Sequence, residues 1–73
     1  MQPLHQTLYL WRKERGLTQS ALAGLTGISR PNLSAIEQGR RDVTVGTLRR
    51  IAQALAISPG MLVDGIAPFS KKR

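Results

Sequence analysis

An all-α fold of five short helices is what this chain predicts, on three observations. Apolar residues recur at spacings of three and four, first in Leu4, Leu8 and Trp11 and later in Leu48, Ile51, Ala52 and Leu55. Between these runs stand residues that start helices (Thr18, Ser29, Thr44 and the pair Ser58-Pro59) and glycines that stop them (Gly16, Gly27, Gly39 and Gly65). Finally, the 73 residues include no Cys, so disulfides and thiolate metal sites are excluded and stability must come from helix packing. A chain this short buries only about 60 to 65% of the surface its unfolded form exposes, so the core is expected to be thin.

The elements follow in order. Helix one is expected from Leu4 to about Arg15, with Gly16 in a left-handed cap and Leu17 tucked back into the core. Thr18 opens helix two, whose inward residues are Leu22 and Ala23 and which ends near Thr26. Gly27, Ile28 and Ser29 form a turn, with Ile28 pinned inside and Ser29 free to accept a bond from an exposed N–H of helix three. Pro31 suits the first turn of that helix, where its missing N–H has no helical partner to lose. Leu33 and Ile36, three apart, fix the buried face, so Arg30, Asn32, Ser34 and Ala35 lie elsewhere around helix 30–38 and some of them face outward. Arg40 to Val43 is a polar loop. Thr44 begins helix four, carrying Val45, Leu48, Ile51, Ala52 and Leu55, and Ser58-Pro59 begins a short fifth helix with Met61 and Leu62 as its apolar contacts. From Gly65 onward the chain reads as an irregular tail.

Two short helices around a glycine turn, over Leu17 to Gly39, have the layout of a DNA-reading helix-turn-helix, in which the second helix is presented to a groove and the first braces it. Eleven Lys and Arg against four Asp and Glu give a net charge of +7, which favours polyanionic partners such as nucleic acid or anionic lipid. No apolar stretch approaches the roughly 20 residues needed to cross a bilayer, and no leader pattern opens the chain, so a cytoplasmic address and no membrane partner are expected. One unit is expected, residues 1–65 with the reader at 18–38, followed by a basic tail, 66–73.

The segments Leu17-Thr18-Gln19, Leu22-Ala23, Gly27-Ile28-Ser29, Leu33-Ser34, Ile36-Glu37 and Gly39, then Thr47-Leu48, Ile51-Ala52 and Ala54-Leu55, resemble the Cro and phage-repressor helix-turn-helix family, also called the XRE family. The likeness covers nearly everything from Leu4 to Val63 and implies a compact five-helix, lambda-repressor-like domain. It also implies that the early residues of helix three reach base edges, which makes Arg30, Asn32 and Ala35 the readers with Pro31 beside them. By the same likeness Gln19 meets backbone phosphate and sometimes supports a base contact, and Arg12 and Glu37 form a partly buried structural ion pair. Pro31 and Ala35 depart from the long polar side chains common at those places, so Arg30 is expected to dominate the code.

Chemistry narrows the roles. Arg30 suits guanine O6 and N7, with phosphate or solvent as the alternative, and Asn32 suits adenine or, alternatively, its own helix start. Ala35 offers at most a methyl contact to thymine. Ser34, Arg40 and Arg41 suit phosphate, as does the helix start at Ser29. Arg49 and Arg50 read as solvated face, with a second DNA contact as the alternative, His5 as surface, Trp11 as a core anchor, and Lys71, Lys72 and Arg73 as a soluble terminus or an electrostatic arm. No pairing of Glu14, Glu37, Asp42 and Asp64 suggests acid–base chemistry, and a lone His without Cys makes a metal site improbable, so neither catalysis nor a cofactor or metal is expected. The expected partner is double-stranded DNA, bound by a homodimer joined through helix five and the Met61 to Phe69 segment. The alternative is a DNA-binding antitoxin that also holds a partner toxin or other protein.

Overall fold

The computed structural model describes residues 2–68 of the chain; the expectations for Phe69 and for Lys71 to Arg73 lie outside them. Five helices follow one another: α1 (Leu4–Glu14), α2 (Gln19–Thr26), α3 (Arg30–Glu37), α4 (Val45–Leu55) and α5 (Pro59–Val63). Their starts are local chemistry. The Thr18 hydroxyl accepts from the Ala21 N–H at 3.0 Å, Ser29 from Asn32 at 3.3 Å and Thr44 from Thr47 at 3.1 Å, each satisfying a donor that has no carbonyl within its own helix. The α1 and α3 boundaries each fall one residue short of expectation, with Arg15 and Gln38 serving as C-caps.

The principal packing contacts form a closed ring: α1 on α3, α3 on α2, α2 on α4, α4 on α5 and α5 back on α1. Inside it lie Leu8, Trp11, Leu22, Ala23, Ile28, Leu33, Ile36, Leu48, Ile51, Ala52, Leu55 and Leu62, all buried. Two long-range bonds tie α1 to the second half of the chain. The Trp11 indole N–H donates to the Ile66 carbonyl at 2.8 Å, and Arg15 Nε donates to the Leu55 carbonyl at 2.7 Å, capping α4 while the guanidinium lies 4.9 Å from the Trp11 ring centre.

Several expectations are corrected. Val45, the first residue of α4, is 66% exposed, and Val43 of the preceding loop packs on the core instead. The irregular segment does start at Gly65, but its first residues are anchored: Gly65 takes φ +71°, the Ile66 N–H donates to the Met61 carbonyl, and the Trp11 indole N–H donates to the Ile66 carbonyl. His5 is half-buried rather than a surface residue, with ring atoms 3.1 Å from where a Cβ at Gly39 would stand. Gly39 is therefore required twice, for its φ of +77° and for the room it leaves that ring. Met61 packs against the core rather than offering an open apolar face, whereas Val63 and Ile66 are exposed.

Candidate nucleic-acid interface

α3 is held from below and open above. Leu33, Ile36 and Glu37 point into the body; Ser29, Arg30, Pro31 and Gln38 are exposed, and Asn32, Ser34 and Ala35 are half-buried between. The loop after α3 brings Arg41 alongside, so that Ser29, Pro31, Asn32, Ala35 and Arg41 line one shallow cleft of about 360 Å³. Arg40, also exposed, folds its Nε onto the Gln38 side-chain oxygen at 2.8 Å. Arg30, Arg40 and Arg41 thus flank a surface whose middle is small and weakly polar, an arrangement that attracts a phosphate backbone while leaving room for base edges.

Beneath this surface lies a chain of bonds. Arg12 and Glu37 meet in a bidentate pair, Nε to Oε2 at 2.6 Å and Nη2 to Oε1 at 3.0 Å, with side chains only 9% and 4% exposed. The remaining terminal nitrogen of Arg12 donates to the Leu17 carbonyl at 2.7 Å. Glu37 Oε1 also accepts from Gln19 Nε2 at 3.1 Å, and Gln19 Oε1 accepts from Arg30 Nη1 at 3.4 Å. Gln19, expected at phosphate, thus bridges the buried pair and Arg30, and the second hydrogen of its amide nitrogen stays available to a phosphate.

The Asn32 Oδ1 is buried with no hydrogen-bond partner, so a two-bond contact to adenine requires its side chain to turn outward. Ser29 and Ser34 use their oxygens as acceptors, from Asn32 N–H and from Gln38 Nε2, which leaves each hydroxyl hydrogen free for a phosphate. Arg50, read as solvated face, is exposed but lies beside the turn. Its Nη1 is 4.0 Å from where a side chain at Gly27 would begin, and its Nη2 reaches Thr47 Oγ1 at 3.5 Å. The three-residue spacing from Thr47 was the available signal for the second contact; nothing local signals the first.

A family model described as helix-turn-helix matches residues 8–62. The chain belongs to the helix-turn-helix family. A Sinorhizobium fredii protein described as an uncharacterized HTH-type transcriptional regulator is 48% identical over 52 residues, which is 71% of this chain and 68% of that one. Among solved structures, the restriction-modification controller protein C.AhdI from Aeromonas hydrophila superposes with a TM-score of 0.79 at 36% identity, covering 81% of this chain and 89% of the controller. The P22 c2 repressor in complex with a synthetic operator gives 0.79 at 26%, covering 85% and 94%. This helix-turn-helix domain is thus of the Cro and phage-repressor type, and its class is that of DNA-binding transcriptional regulators. The antitoxin alternative draws no support from these relatives and is not carried further. Among the described residues no helix is long and apolar enough to cross a membrane.

Proposed function

We propose that this regulator acts by occupying a duplex DNA site, with α3 in the major groove. Arg30 reads a guanine edge, Pro31 and Ala35 make close apolar contact beside it, and the Asn32 amide nitrogen donates to a nearby acceptor. Ser29, Ser34, Arg40 and Arg41 hold phosphates and fix the register. The single observation that carries this assignment is the open face of α3, with Arg30 exposed at its start and Arg41 closing the cleft alongside. Likeness to the P22 c2 repressor bound to its synthetic operator supports the same use of the helix.

One copy presents a single eight-residue helix and few base-contacting side chains. Two copies on half-sites about 34 Å apart give the selectivity a regulator needs; exposed Val63 and Ile66 at the α5 end are the surface we assign to pairing. Occupancy of a promoter then represses transcription in the cytoplasm without any chemical step or cofactor. Fluorescence anisotropy on selected and scrambled duplexes across a salt series tests this. A dimer meeting roughly 6 to 10 phosphates loses about three to five decades of affinity between about 50 and 200 mM salt. Equal affinity for both duplexes at every salt concentration would overturn it.

A further inference from the structure

We propose that Trp11 is a positioning residue for the pairing of two copies, and so for the half-site spacing that the pair accepts; this rests on Val63 and Ile66 as the surface that joins them. Ile66 lies past the last helix, where no helical ladder holds the backbone, yet both of its backbone groups are tied. Its N–H donates to the Met61 carbonyl at 3.0 Å, and its carbonyl accepts from the Trp11 indole N–H at 2.8 Å. An indole has that one donor and no acceptor, so the bond admits no exchange of roles. Gly65, at φ +71°, makes the bend that turns the chain back toward α1. The ring is held in its turn. Trp11 is only 7% exposed, and Arg15, bonded to the Leu55 carbonyl at the end of α4, lies 4.9 Å from the ring centre.

α1 is also the shortest route from this surface to the reader. In the principal contacts α5 packs on α1 and α4, and of these two only α1 packs on α3. Trp11 grips the segment after α5 and its neighbour Arg12 grips Glu37 of α3, so adjacent residues of one helix fix both. Any play between Ile66 and α1 becomes play between the two α3 helices of a pair. Each base pair added between half-sites moves them about 3.4 Å apart and turns them by about 34°. A stiff pair therefore accepts one spacing, whereas a loose pair accepts several. Contact of a single α3 with a single half-site does not involve the bond.

The test uses duplexes carrying two half-sites at the selected spacing and at one or two base pairs more and fewer, with a duplex carrying one half-site beside them. Anisotropy is read for the native protein, Trp11→Phe and Val63→Asp. Phe keeps most of the apolar ring and lacks the donor, and helical circular dichroism reports whether the variant folds. The native protein should favour one spacing. Trp11→Phe should lower that preference over the neighbouring spacings about two- to tenfold, the range for one lost hydrogen bond, with affinity for the single half-site unchanged. Val63→Asp should abolish the advantage of two half-sites over one. If Val63→Asp does so and Trp11→Phe keeps the native spacing profile, Trp11 has no part in positioning while the pairing surface stands. If Val63→Asp keeps the native advantage, pairing lies elsewhere and both fall. Equal weakening by Trp11→Phe on every duplex, the single half-site included, would mark a general loss of packing and overturn the proposal. Should Trp11→Phe fail to fold, Gly65→Ala decides on the same duplexes, since it strains the bend before Ile66 and leaves the ring in place; an unchanged profile then overturns the proposal.

Discussion

Replacing Glu37 by Leu is the most exacting test of how this domain is held together. Arg12 would keep one bond, to the Leu17 carbonyl, and would lose both acceptors for Nε and Nη2 in surroundings where its side chain is 9% exposed. Removing one member of such a pair costs about 3 to 5 kcal/mol, because the other charge stays buried without compensation. A single core in a chain of this size supplies only about 3 to 5 kcal/mol net. The variant should therefore show little or no cooperative transition in a urea titration followed by helical circular dichroism. Pairing it with Arg12→Met should recover most of the loss, since two apolar side chains leave no stranded charge. A residual cost of about 1 to 2 kcal/mol should remain, from the Leu17 carbonyl left without its donor. A Glu37→Leu midpoint equal to that of the native protein, or a paired variant no better than the single one, would refute this account.

Three further outcomes are expected. Ala56 ends α4 at φ 60°, ψ 41°, which costs a residue with a Cβ about 1 to 2 kcal/mol. Ala56→Gly, after about 0.4 to 1 kcal/mol of added unfolded-state entropy, should raise the melting temperature by a few degrees, and an unchanged or lower value would contradict this. Gly16→Ala should cost only the left-handed strain, since nothing stands near it, while Gly39→Ala should cost more because of the His5 ring; equal losses in urea would remove His5 from that contact. Arg30→Ala should relax base preference, and Arg41→Ala should weaken every sequence alike and lower the salt slope by about 1, read by anisotropy.

What the sequence revealed of the fold was what local chemistry decides. Thr18, Ser29 and Thr44 cap helices through donors three residues away, and Leu33 with Ile36 sets the buried side of α3 without reference to any other element. The missed features join residues far apart in the chain. Gln19 lies 18 residues from Glu37 and 11 from Arg30, and Trp11 lies 55 from Ile66, so no periodicity could expose those bonds. Ala56 was opaque for another reason: a left-handed helix end is signalled by Gly, and here the chain uses Ala at a cost the packed Ile57 and Leu55 on either side offset. The buried oxygen of Asn32 depends on a side-chain rotation that residue type alone does not determine.

Because the five helices close on one another in a ring, none of them is a detachable part. An excised peptide spanning α2 and α3 would be too short to stay helical alone in water and would lose its braces from α1 and α4. Slow amide exchange should accordingly be shared across all the longer helices, with the α3 amides opening only when the others do. It follows that a lesion in α5, which makes no principal contact with α3, would still shorten the time for which the reader is available.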